Sequence, residues 1–462
     1  MKRPELITIA GAGLVGSLLG VMLGKRGYRV QIFERRADMR GQEVAAGRSI
    51  NLALAERGIH ALKKAGLMDA VKPLLIPMRG RMLHDRSGNL EFQSYGQRPH
   101  EVIYSVSRGG LNELMLTAAE DSKQVEIRFE HELDSIDFEN QTIHFTDAVN
   151  RESVVVPTQM LIGADGAGSR VRRSLLPFVK GLDRSELLDH DYKELTIPPA
   201  SNGQHQIDRE SLHIWPRGGY MLIALPNLDG SFTVTLFLKK EGDPSFAQLD
   251  SHQAVNAFFK TQFADAMELI PGLADEFFEN PQGVLGTVRC DPWIDNENVM
   301  LIGDASHAIV PFHGQGMNSG FEDCELFICL LEQFGDDWPK AMQAFGRTRP
   351  RDADAIADMA LENYITMRDS VLDPTFALKK KLGFELELEF PRRFIPRYSM
   401  VMFHRVPYAE AKRRGVVQQE ILDELLLGLD SLDQVDRARA GELVRERLDL
   451  LNESLLAESL LA

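Results

Sequence analysis

Cysteine is scarce in this chain of 462 residues: there are three, Cys290, Cys324 and Cys329. Their number is odd and no Cys-x-x-Cys pair occurs. That excludes a disulfide-stapled frame and a thiolate zinc site, and reads as reduced, intracellular thiols. Long apolar runs are missing as well, since no stretch approaches the roughly 18 residues of a membrane span. Positive charge is outnumbered, with 52 Lys and Arg against 68 Asp and Glu and a net charge of -16. A nucleic-acid groove and a polybasic membrane anchor are therefore not expected. No His-Glu-x-x-His or comparable cluster marks a metal site. Neither an internal repeat nor a low-complexity segment is found. The opening residues, 1–5, lead directly into a strand, and the apolar stretch that follows is broken by glycines, unlike a signal peptide.

What is present is apolar residue in quantity: 44% of the chain is hydrophobic, ample for two or three packed units. Residues 6–10 predict a strand, 14–25 a helix and 28–33 a second strand, the β-α-β unit of a parallel sheet. The apolar set Leu52, Leu54, Ile59, Leu62 and Leu67 predicts a helix over 52–72, and 111–119 predicts another. Residues 125–129, 135–138 and 142–145 alternate like a meander of strands. Residues 160–163 and 299–303 read as buried strands. Between them, 187–240 is mostly β, with strands at 212–215, 220–225 and 232–237, the last two joined by a hairpin turn at 226–230. Beyond Phe321 the chain reads as helical, ending on a packing face made by Val444, Leu448, Leu451 and Leu455.

Three stretches carry chemistry. In Gly11-Ala12-Gly13-Leu14-Val15-Gly16, glycines let a strand-to-helix turn tighten, approach a pyrophosphate and pack closely. Gly11, Gly13 and Gly16 are thus cofactor candidates. Glu34, at the end of the next strand, has the spacing to accept a ribose hydroxyl. The second stretch, 163–172, contains Asp165-Gly166 and on its own is an ordinary β-α turn. The third, 303–318, places Asp304 just after a buried strand, where it suits a ribitol or ribose hydroxyl. Gly316, Met317 and Asn318 then open a helix whose N–H groups can meet the pyrimidine edge of a flavin, which is negative when reduced. The bland alternative for Asp304 is a helix cap.

In this order the three stretches resemble the aromatic-hydroxylase family of FAD monooxygenases. Further stretches at 47–58, 78–82, 213–216, 224–229, 360–364 and 393–400 are similar to the kynurenine 3-monooxygenases within it, and the resemblance runs to about residue 415. It implies an α/β fold: a Rossmann-like FAD-binding domain of the p-hydroxybenzoate hydroxylase type, a β-sheet substrate domain and a helical C-terminal region. The expected boundaries are 1–75, 102–180 and 287–365 for a discontinuous FAD domain, 76–101 and 181–286 for the substrate domain, and 366–462 for the helical region. It implies tight, non-covalent FAD and transient NADPH. With a single G-x-G-x-x-G, no separate nicotinamide domain is expected, and NADPH docks near Asp165-Gly166.

The same resemblance assigns Arg108 to the FAD pyrophosphate. Arg81 matches a carboxylate-binding arginine and Tyr95 its hydroxyl partner. Asn363 and Tyr398 match further pocket residues, and Phe237 and Phe312 wall the ring. Taken alone, each of these is a surface arginine or a core side chain. The implied reaction is hydroxylation of L-kynurenine to 3-hydroxykynurenine through a C4a-hydroperoxyflavin, with O2 and no protein acid or base. Alternatives are hydroxylation of another small aromatic acid, or a flavin-binding protein without turnover. The expected setting is cytoplasmic, as a monomer or weak homodimer of the bacterial type that lacks a membrane anchor.

Overall fold

The computed structural model describes residues 3–40, 51–175, 181–295, 298–369 and 373–456. Residues 47–50, part of one similarity stretch, lie outside this set, as do the closing residues 457–462.

The β-α-β opening forms as its pattern predicts: strand Leu6–Ala10, helix Leu14–Lys25, strand Arg29–Phe33. Leu6–Ala10 lies between Met160–Gly163 and Arg29–Phe33, all parallel. Val299–Leu301 extends this sheet on one side, Val125–Arg128 on the other, and Ile294–Asp295 adds an antiparallel edge. Ile7, Ile9, Ile32, Leu161 and Ile162 are fully buried, as strands covered on both faces require.

A seven-stranded sheet forms the second layer, in the order Gln282–Asp291, Leu182–Ile197, Phe232–Lys239, Met221–Pro226, Ser211–Pro216, Gly80–His84, Leu90–Ser94. All of its neighbours are antiparallel except Ser211–Pro216 with Gly80–His84. Side chains alternate between its faces. One face, with Trp215, Leu222, Ala224, Phe232, Val234 and Leu236, packs on the helical segment 252–279 through Phe259, Phe263 and Phe277. The other face carries Arg81, Leu212, Ile223, Leu225, Thr235, Phe237, Tyr192 and Glu194 and lines a cavity.

Three expectations need correction. Residues 51–54 form a strand, not helix, paired with Ile103–Ser107; Leu52 and Leu54 are two apart, a strand period, and the helix is Glu56–Lys64. Val125–Arg128 belongs to the parallel sheet, so the meander consists of His131–Asp137, Thr142–Asp147 and Ser153–Pro157. The closing face is not one helix. Arg437–Arg447 ends before Leu448, which is extended (φ -123°, ψ 118°), and the Leu451 N–H donates to Arg392 O at 2.8 Å. Val444, Leu448 and Leu451 are nonetheless buried.

Among the described residues, no helix is long and apolar enough to cross a membrane. The three cysteines are unpaired.

Candidate active site

The cavity encloses 710 Å³ and runs without interruption from the first glycine turn to Arg81. At its dinucleotide end, Gly11 has φ +101°, and a Cβ there would lie 2.5 Å from Ala164 O. Gly16 sits against the same turn: a Cβ would meet Gly11 O at 2.0 Å. Gly13 differs, since a Cβ would meet nothing within 4 Å, and its open side faces the cavity. This leaves a backbone cradle at the N-terminus of helix Leu14–Lys25, suited to a phosphate.

Glu34 is buried at the cavity wall. One carboxylate oxygen accepts Ala12 N–H at 2.9 Å, and the other accepts Arg36 N–H and Nε–H at 3.1 and 2.7 Å. Burial raises its pKa, but Arg36 and the Ala12 N–H outweigh this and hold it below the usual range. It is ionised, braces the glycine turn and retains lone pairs for a ribose.

Asp304 opens the short helix Asp304–His307 and lines the cavity, and its carboxylate accepts no hydrogen bond from the described residues, so it is not acting as a cap. Arg108 begins the helix Arg108–Asp121, is exposed at the cavity and forms no ion pair with the described residues. Asp165 is divided: Oδ2 accepts Arg170 N–H and Val171 N–H at 2.7 and 3.2 Å, as in an ordinary turn, while buried Oδ1 has no partner. Gly316 and Met317 line the cavity at the start of helix Gly316–Gln333. Asn318 does not: its amide donates to Ala53 O and Gly314 O and accepts Ala55 N–H, so the side chain ties segment 53–55 to the helix. The open cradle, the free carboxylate of Asp304 and the orphaned Asp165 oxygen fit FAD.

Sequence reasoning missed the brace behind this end. Asp323 is fully buried and accepts Gly303 N–H at 3.0 Å, His307 Nε2 at 2.6 Å and Arg349 Nε at 2.6 Å. Arg349 also pairs with Glu322 at 2.8 Å, and Glu322 with Arg57. Glu322-Asp323 inside an otherwise apolar helical face was the available signal.

At the far end, Arg81 projects from strand Gly80–His84, buried, with Nε lacking any partner. Its guanidinium lies 5.6 Å from the Tyr95 ring and 5.3 Å from the Tyr398 ring, and the two rings stack at 5.5 Å. The Tyr95 hydroxyl has no partner either. Burial pushes both phenols above their ordinary pKa, so both stay neutral donors. His313, unmentioned by the motifs as a pocket group, stacks on Tyr398 at 5.5 Å. Burial drives it down to about 3, with Arg397, Arg81 and Arg57 acting in the same direction, so it is neutral.

Between the two ends, Phe237 and Phe312 meet edge to face at 4.9 Å and both line the cavity. Asn363 is one step removed. Its Nδ2 donates to Phe312 O at 2.7 Å, which positions that ring, and the side chain does not line the cavity. Glu194, which no motif singled out, lines the cavity wall as Arg108 does. Burial pushes it up to about 7, and Arg108 opposes this.

Residues 5–335 match the FAD binding domain family. Curated relatives include the kynurenine 3-monooxygenases of Myxococcus xanthus, 47% identical over 96% of each chain, and of Stenotrophomonas maltophilia, 46% identical over 96% of this chain and 97% of the other. Among solved structures, PqsL of Pseudomonas aeruginosa superposes with a TM-score of 0.64 at 19% identity, covering 79% of this chain and 96% of PqsL. The p-nitrophenol 4-monooxygenase PnpA of Pseudomonas putida has a TM-score of 0.64 at 18% identity, covering 83% and 94%. These structures share the α/β fold of the p-hydroxybenzoate hydroxylase type, and this chain adds a helical C-terminal region. By sequence over nearly its whole length, the chain belongs to the kynurenine 3-monooxygenase family of FAD-dependent enzymes.

Proposed function

We infer that the protein hydroxylates L-kynurenine to 3-hydroxykynurenine. In sum, kynurenine, O2, NADPH and one proton give 3-hydroxykynurenine, NADP+ and water. The observation that carries this reading is the single cavity with a dinucleotide cradle at one end and a buried, anion-ready Arg81 at the other.

In this reading Gly11, Gly13, Glu34, Arg108, Asp304, Gly316 and Met317 hold FAD, with Gly16 and Asn318 supporting them from behind. Bound FAD supplies the redox chemistry, accepting reducing equivalents from NADPH and activating O2. The protein supplies orientation and dryness. Arg81 receives the substrate carboxylate through charge-assisted bonds, and neutral Tyr95 and Tyr398 add hydroxyl donors. Phe237 and Phe312 confine the aniline ring, the latter fixed by Asn363. The aniline nitrogen already enriches the ring, so attack beside it needs no protein base, in keeping with the weak basicity of His313, pushed down to about 3, and the un-ionised phenols. Transient NADPH docking at the Asp165-Gly166 turn is supported by that turn's place on the cavity wall. Unpaired thiols and NADPH dependence fit a cytoplasmic setting.

The test is a screen of NADPH oxidation against small aromatic acids. L-Kynurenine should stimulate it most. Greater stimulation by a salicylate or hydroxybenzoate would transfer the assignment to that substrate.

A further inference from the structure

The Arg81 end of the cavity carries an excess of positive charge that the motifs do not explain. Lys380 lies on the helix Pro374–Glu389, and its Nζ donates to Ser94 O at 2.8 Å. Ser94 directly precedes Tyr95, and the neighbouring residue Gln93 is the cross-strand partner of Arg81. Lys380 is thus fastened to the strand end that delivers the subsite. Neither Lys380 nor Arg81 forms an ion pair with any described residue, although the chain contains 68 acidic residues. Lys380 is half-buried and Arg81 buried, and two cations held close together with little water between them repel. An anion brought to them relieves that repulsion.

We propose that Lys380 supplies a second positive charge to the carboxylate subsite and acts on the bound substrate carboxylate together with Arg81. The proposal rests on the amino-acid substrate assigned above. Lys380 does not line the cavity, so it is a positioning residue that works through its field and through the Ser94–Tyr95 strand end.

Its titration gives the proposal a signature. Burial lowers Lys380 to about 8, and Arg81 pushes the same way; the one charge that opposes them is Glu91, exposed on strand Leu90–Ser94. A carboxylate arriving beside Arg81 raises the Lys380 pKa again. Binding therefore draws a proton onto Lys380 in the range above about pH 8, and by linkage affinity falls as pH rises through that range. A lysine that merely anchors the helix to Ser94 has no reason to take up a proton when a ligand binds.

The experiment is calorimetric titration of the holoenzyme with L-kynurenine at about pH 7 and pH 9, in buffers of different ionisation enthalpy, for wild type, Lys380→Met, Lys380→Arg and Arg81→Met. Protons exchanged by the ligand itself are common to all variants and cancel in the comparison. Wild type should take up more protons at the higher pH than Lys380→Met, which should bind kynurenine about threefold to tenfold more weakly at neutral pH. Lys380→Arg should restore affinity without restoring uptake, because arginine does not titrate there. The decarboxylated amine should bind wild type and Lys380→Met alike. Wild-type affinity and wild-type proton uptake in Lys380→Met, alongside a weakened Arg81→Met, would overturn the role of Lys380 alone. Unchanged kynurenine affinity in Arg81→Met would overturn the amino-acid substrate itself.

Discussion

Arg349 Nε donates to the Asp323 carboxylate at 2.6 Å, with both side chains buried, and the other Asp323 oxygen holds Gly303 N–H and His307. The strand-to-helix turn that presents Asp304 is thereby tied to the helix that presents Gly316 and Met317. A buried ion pair adds little net stability, but removing one partner strands the other charge. Here one pair fixes two walls of the cofactor site.

Arg349→Met should destabilise the fold by about 3–5 kcal/mol, because buried Asp323 loses its guanidinium partner and Glu322 keeps only Arg57. It should also weaken FAD binding, since the Asp323 carboxylate that braces the Gly303 turn is no longer held by Arg349. Burial raises the Asp323 pKa, but His307 and Arg349 overcome this and bring it to about 2. Its stabilising contribution is complete above the unfolded value near 3.8 and lost as pH falls through about 2. Thermal unfolding and flavin titration check both effects. Wild-type stability in the variant would show that the pair is dispensable.

Glu34→Ala should weaken FAD binding by about 1.5–3 kcal/mol, the worth of a hydrogen bond to a charged acceptor. The bond from Ala12 N–H gives a second reason, because the glycine turn loses its brace. The flavin itself should leave fully with acid precipitation, as expected of non-covalent FAD. Unaltered FAD affinity in the purified variant would remove Glu34 from the ribose site.

Much of the dinucleotide end was legible because backbone geometry dictates it. Gly11 and Gly16 are glycine for local steric reasons, and Glu34 follows at a strand's distance. The substrate end was legible only through resemblance, since a lone arginine and two tyrosines have no period or spacing that joins them. Arg81 and Tyr95 share one hairpin, whereas Tyr398 comes from helix Arg397–Met402 and meets them only after the C-terminal helices pack. Asn318 and Asn363 were expected to face ligands, yet each holds backbone carbonyls; amide side chains serve either role equally well in sequence. Glu194 and Lys380 stayed hidden because charged residues in an alternating strand or beside other lysines read as solvated.

Glu194→Gln should make the protein more stable at neutral and higher pH. Burial raises the Glu194 pKa from 4.5 to about 7, so wild type loses stability as pH rises from the unfolded value through the folded one. Glutamine escapes that loss. The gain should grow from near zero below pH 4.5 to at most about 3 kcal/mol above pH 7. Unfolding midpoints measured at acidic and mildly alkaline pH check it; a gain equal at both would contradict the raised pKa.

Arg81→Met should weaken kynurenine binding by about 2–5 kcal/mol, because a carboxylate enters a dry subsite without its charged partner. FAD content should not change, as Arg81 lies at the opposite end of the cavity from the glycine turn. Kynurenine-stimulated NADPH oxidation should fall with the affinity. A titration followed by flavin absorbance separates the two, and loss of flavin along with affinity would point to a structural role.

The central claim is tested most directly by product analysis. The purified holoenzyme is incubated with L-kynurenine, NADPH and isotopically labelled O2, and the products are separated and weighed by mass spectrometry. The account predicts 3-hydroxykynurenine carrying one labelled oxygen, formed in step with NADPH consumed. NADPH oxidation that yields only hydrogen peroxide, with kynurenine recovered intact, would contradict it.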